Sequence, residues 1–96
     1  MTHNQLGNTY AGAGDLDRAL PHYREAVRYR EAAGDPFGAA QTRFNVAVGL
    51  AHAGRFEDAL EYARAALRDY QTYGEGATAE IGRAERLIAD IEQAMQ

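Results

Sequence analysis

The chain has no cysteine, no lysine and no serine. Without cysteine there can be no disulfide, no thiolate nucleophile and no thiolate metal ligand. Without serine a serine nucleophile is excluded, and Thr2, Thr9, Thr42, Thr72 and Thr78 stand without a base at a suggestive spacing. Without lysine a phosphate-binding loop lacks its ammonium group. All ten basic residues are arginines, set against fourteen acids for a formal charge of −4. The arginines lie singly among carboxylates, which argues against a phosphate-backbone footprint and so against nucleic acid as a partner. No apolar run approaches the ~20 residues needed to cross a bilayer. The opening "MTHNQLGN" is not a signal peptide. These absences lead us to expect a soluble, cytoplasmic protein with no membrane partner.

What is present favours helix. Alanine is abundant, only two prolines occur, and β-branched residues are sparse. A length of 96 residues suits one domain with one modest core. The chain also repeats itself. With a shift of 40 positions, "YAGAGDLDRAL" from Tyr10 falls on "LAHAGRFEDAL" from Leu50. Ala11 meets Ala51, Gly14 meets Gly54, Ala19 meets Ala59, Leu20 meets Leu60, Arg24 meets Arg64 and Gly34 meets Gly74. The register runs on, pairing Ala39 with Ala79 and Arg43 with Arg83. Tandem units of this length indicate a solenoid of stacked supersecondary elements.

Each unit reads as two helices. Ala19, Leu20, Tyr23, Ala26, Val27 and the aliphatic stem of Arg30 follow helical spacing behind an Asp15 cap. Gly34 stands where a helix-terminating glycine belongs, and Asp35-Pro36 supplies a cap and a first-turn proline for the next helix. Phe37, Ala40, Phe44, Ala47, Leu50 and Ala51 carry that helix to the turn at Gly54. Phe56, Ala59, Leu60, Ala63, Ala66, Leu67 and Tyr70 form the next. A last helix is expected over about 77–95, with a seam of Ile81, Ala84, Ile88, Ile91 and Met95 flanked by Leu87. Pro21 conflicts locally, but it lies near its helix start, where the lost bond costs little. Gly7, Ala19 and Ala26, repeated by Ala47, Ala59 and Ala66, mark close helix approaches, with larger residues filling the space between.

Leu6-Gly7, Tyr10, Gly14, Ala19, Tyr23 and Ala26 resemble the tetratricopeptide-repeat signature, and Val46-Ala47, Leu50, Gly54, Ala59, Ala63 and Ala66 repeat it more loosely. The sequence departs from the pattern at His3 and Arg43, where an aromatic belongs, and at Glu31 and Gln71, where a proline belongs. The 40-residue period is similar to that of the longer subclass found in kinesin light chain-like adaptors and bacterial regulator arrays. The resemblance implies an all-α, antiparallel helix-pair solenoid in a single domain spanning 1–96. Repeat 1 covers about 1–34, repeat 2 about 35–74, and a capping helix about 77–95, giving about five helices. By register the first helix lacks about five residues and its cap, so a fragment of a longer array is expected, or an N-terminal face packed on another copy.

The site residues follow from the same resemblance, which implies a concave groove lined by the first helices of successive units. The matching positions are Asn4, Asn8, Ala11 and Gly12, then Gln41, Phe44, Asn45, Val48, Ala51 and His52, then Ala84, Glu85, Ile88 and Ile91. The lysine-bearing clamp of the chaperone-binding members is absent, leaving a mixed amide and apolar groove suited to a peptide or helix. Phe44 and Val48 could equally pack the core. Other chemistry finds little support. The glycines of "GAG" at 12–14 precede Asp-Leu-Asp, which repels phosphate, so an inter-helix turn is expected there. His3, His22 and His52 lack metal-site spacing, and Asp15/Asp17, Glu57/Asp58 and Glu57/Glu61 suit first-turn dipole partners better than acid–base pairs. The expectation is therefore a non-catalytic interaction scaffold with no cofactor and no metal, binding a protein or peptide. A sensing arm of a larger bacterial regulator, or a module self-associating through its N-terminal face or C-terminal helix, stands as the alternative.

Overall fold

The structure, a computed structural model, describes residues 16–96. Four α-helices follow one another: α1 Leu16–Ala32, α2 Pro36–His52, α3 Phe56–Tyr73 and α4 Thr78–Ala94, the last preceded by a 3-10 turn at Glu75–Ala77. No strand occurs among the described residues. The first expected helix, with Leu6, Gly7, Tyr10, Gly14 and the Asp15 cap, lies outside the described residues. Short links force antiparallel neighbours, and α2 packs between α1 and α3 while α4 packs on α3. The arrangement is an all-α helix-pair solenoid.

Two elbows are built the same way. At the end of α1, Gly34 adopts φ +73°. There the Asp35 amide donates to the Arg30 carbonyl at 2.8 Å, and the Gly34 amide to that of Glu31 at 3.0 Å. At the end of α2, Gly54 adopts φ +79°. The Arg55 amide donates to Leu50 at 2.9 Å and the Gly54 amide to Ala51 at 3.0 Å. Both are Schellman closures, which need a left-handed residue and satisfy carbonyls the helix leaves open. Asp35 then caps α2, its carboxylate accepting the Gly38 amide at 2.8 Å, with Pro36 in the first turn. Its other oxygen takes Arg30 Nη1 at 3.1 Å. Arg30 therefore leaves the apolar stripe assigned to it and lies exposed, its stem passing over Gly38. A Cβ on Gly38 would collide with the Asp35 carboxylate. Helix α1 continues through Pro21, which is exposed.

The core has two parts. Ala19, Leu20 and Tyr23 of α1 meet Val46, Ala47 and Leu50 of α2, Ala59 and Ala63 of α3, and Ile91 of α4. Ala40, Ala66, Tyr70, Ala77 and Ala84 form the second, with Phe37, Phe44, Leu67 and Ile81 packed against it. The small residues expected at close approaches are buried: Ala19, Ala26, Ala47, Ala59 and Ala66. Helix α2 buries more than one stripe, because α1 and α3 cover it from two sides. Ala39, Thr42 and Val46 are buried beyond the residues its helical spacing predicts. The Thr42 hydroxyl donates to the Gly38 carbonyl at 3.0 Å and so enters the core satisfied.

Helix α4 buries Ala84 and Ile91 and half-buries Ile81, Leu87 and Ile88, while Met95 stays 43% exposed. The 40-residue register therefore holds in sequence but not in packing. Ala79 is exposed where Ala39 is buried, and Arg86 is exposed where Val46 is buried. Arg43 bonds Asp69 and lies 3.4 Å from Glu31, joining α2 to both flanking helices. Among the described residues Arg83, its register mate, forms an ion pair with Glu80 of its own helix alone, at 3.3 Å.

Candidate functional site

Helices α2 and α4 lie side by side against α3, and a shallow pocket of about 210 Å³ opens between them. Gln41, Phe44 and Asn45 line it from α2, Tyr70 from α3, and Glu80 and Arg83 from α4. The α2 residues meet there because positions three and four apart share a helical face. Gln41 and Asn45 are exposed, and Phe44 is half-buried against the second core cluster. Phe44 therefore serves the core with one side and the pocket with the other.

Tyr70 sits at the back of the pocket, 2% exposed. Its ring meets Phe37 edge-on, with centroids 5.6 Å apart. Phe37 also meets Tyr73 at 5.1 Å, so an aromatic group stiffens this end of α3. Burial raises the Tyr70 hydroxyl above its ordinary range; the Glu80 carboxylate adds to the effect and the Arg83 guanidinium opposes it. Tyr70 is therefore a neutral hydroxyl at physiological pH. Beside it Glu80 is mostly shielded, whereas Arg83 reaches into solvent at 64% side-chain exposure.

The site predicted from sequence is thus brought together only in part. Gln41, Phe44 and Asn45 converge. Val48 is half-buried and His52 exposed further along α2, and neither lines the pocket. Ile88 packs against the first core cluster, and Ala84 and Ile91 are core residues. Asn4, Asn8, Ala11 and Gly12 lie outside the described residues. Sequence reasoning missed Tyr70, Glu80 and Arg83 as lining residues. Tyr70 lies in an apolar stripe and reads as core. The signal for Arg83 was its register mate Arg43, a repeated arginine with no repeated partner acid, since Gln71 replaces Glu31.

Chemically the pocket offers two amides, each with donors and an acceptor, beside an apolar wall and a charged lip. His22 lies on α1 and His52 ends α2, and among the described residues no group of His, Asp and Glu could hold a metal ion.

Antiparallel helices joined at left-handed glycine elbows fit a stacked helical-repeat architecture. A tetratricopeptide-repeat family model matches residues 1–72. The chain belongs to the tetratricopeptide-repeat family. No curated protein and no solved structure matches it. Within this tetratricopeptide-repeat chain, Gln41, Phe44, Asn45 and Tyr70 fall in the matched span, whereas Glu80 and Arg83 come from α4 beyond it. The two charged residues of the pocket therefore come from the last helix. Among the described residues no helix is long and apolar enough to cross a membrane.

Proposed function

We propose that the chain is a non-catalytic protein–protein interaction scaffold that holds a peptide or partner helix in the groove between α2 and α4. Membership of the tetratricopeptide-repeat family supports the class of activity. One observation supports the groove: two exposed amides, Gln41 and Asn45, flank a half-buried aromatic, Phe44, in a preformed pocket. Phe44 offers an apolar wall for a partner side chain. The amides hydrogen-bond a main chain or a polar helix face, and Glu80 with Arg83 reads charge at the rim. The 40-position spacing of Leu16 and Phe56, the first residues of α1 and α3, supports grouping the chain with the longer-period subclass.

The test uses peptides selected on this protein from a random display library. Their affinity is measured by fluorescence anisotropy for the wild type and for Asn45→Ala and Phe44→Ala. Loss of at least ~tenfold, or about 1.4 kcal/mol, is expected for each. Asn45 is exposed, so its variant keeps the fold. Unchanged affinity in both variants would exclude the groove.

A further inference from the structure

The outward face of α3 carries four charges in an order that reads the same from either end with the signs exchanged. Glu57, Glu61, Arg64 and Arg68 follow one another at spacings of four, three and four, and so share one stripe. With Leu60 and Met95 they line a shallow depression of about 360 Å³. All four charges are exposed, and Leu60 is half-buried. On α1 the register mates of Leu60 and Leu67 are Leu20 and Val27, only 9% and 6% exposed. A face that is covered on α1 is thus partly open on α3.

Within the chain these charges are only partly balanced. Glu61 and Arg64, three apart, attract, but Glu57 and Glu61 are four apart, as are Arg64 and Arg68, and like charges at that spacing repel. The helix dipole favours an acid in the first turn, which accounts for Glu57 but fades before Glu61. Arg64 reaches Glu92 at 3.3 Å, a pair half-exposed at both ends. Among the described residues, the side chains of Glu57, Glu61 and Arg68 enter no ion pair.

The order is self-complementary. A two-fold axis crossing α3 between Tyr62 and Ala63 carries Glu57 onto the position of Arg68, and Glu61 onto that of Arg64. We propose that this face is a self-association surface, on which two copies of the chain pack α3 against α3 in antiparallel orientation. Each repelling pair then lies opposite the pair of other sign, and Leu60 with Met95 of each copy covers apolar surface at the edge. Such a two-fold contact uses one patch twice and closes on itself. An interface of little more than one helix pair is small, so the association is weak and salt-sensitive. It uses none of the groove residues, so the groove and the dimer can fail separately.

Sedimentation equilibrium on the chain, from ~10 µM to ~1 mM, tests it. The mass should climb from monomer toward dimer, with at least ~tenfold weaker association in 0.5 M salt. The double variants Glu57→Arg/Glu61→Arg and Arg64→Glu/Arg68→Glu should each stay monomeric. Mixed together they should form a heterodimer at least as tight as the wild-type dimer, a rescue that misfolded chains could not give. A wild type that remains monomeric throughout would overturn the proposal. So would variants that dimerise alone, or monomeric variants that fail to pair when mixed.

Discussion

Helices α2 and α4 stand one repeat apart, yet they bury different sides. Ala39, Val46 and Leu50 are core residues, while their mates Ala79, Arg86 and Asp90 are exposed. Conversely Gln41 is exposed, and its mate Ile81 packs into the second core cluster. The cause lies partly at the junctions. Before α2, the Schellman turn at Gly34 runs directly into the Asp35 cap and Pro36. Before α4, Gly74 adopts φ +96° and ψ −142°, and the 3-10 turn Glu75–Ala77 intervenes with no side-chain cap. The rest is composition: α4 carries isoleucines on one stripe and polar or small residues where α2 is apolar. A repeat in sequence therefore need not be a repeat in packing. Here the break opens the pocket between the two helices.

The sharpest way to break this comparison is through the register mates themselves. Leu50→Ala and Ile91→Ala each remove a side chain from the first core cluster and should cost about 2–5 kcal/mol. Asp90→Ala, at the register position of Leu50, should stay within about 0.5 kcal/mol. Urea melts of the three variants measure this directly. If α4 packed in register with α2, the Asp90 variant would shift the midpoint markedly.

A smaller difference should separate the glycines. At both Gly34 and Gly74 a Cβ would meet nothing within 4 Å, so the cost of alanine is conformational. Gly34 sits in the left-handed helical region, where alanine costs about 1 kcal/mol. The backbone of Gly74 lies near a region reserved for glycine, so Gly74→Ala should cost more, about 1–3 kcal/mol. Equal thermal shifts would contradict the distinction between the junctions.

The two arginines sharpen the same contrast. Arg43→Ala strips both Asp69 and Glu31 of their bridge and should cost about 1–2 kcal/mol. Arg83→Ala should leave the denaturation midpoint nearly unchanged and act on peptide binding instead. The smallest effect is a pH slope. The Tyr70 hydroxyl is raised in the native state, so the unfolded chain loses its proton first as pH climbs. Stability should hold below about pH 10, the ordinary tyrosine value, and fall as pH rises through the higher native value. Tyr70→Phe should flatten that fall.

Much of the fold was legible because local chemistry and global packing agree. Gly34, Asp35 and Pro36 announce an elbow in any context, and the alanines at Ala19, Ala47, Ala59 and Ala66 mark close approaches whichever helix faces them. The side of α4 turned inward was legible only from its isoleucine seam, and the repeat register pointed elsewhere. The seam prevailed because four large apolar side chains outweigh an alignment of alanine and arginine. The pocket was half legible. Gln41, Phe44 and Asn45 share a helix, so their spacing brings them together, but Tyr70, Glu80 and Arg83 join them only through the α3–α4 junction. Ile88, expected both on the seam and in the groove, is half-buried against the first core cluster.

The central claim is that the junction of α2 and α4 is the surface this protein offers a partner. An NMR titration of the isotope-labelled chain with a library-selected peptide tests it most directly. The side-chain amides of Gln41 and Asn45 should shift together with the backbone of Phe44, Glu80 and Arg83, while the outer stripe of α3 stays still. Shifts confined to α1 or to Glu57, Glu61, Arg64 and Arg68, with the Gln41 and Asn45 amides unmoved, would contradict the account.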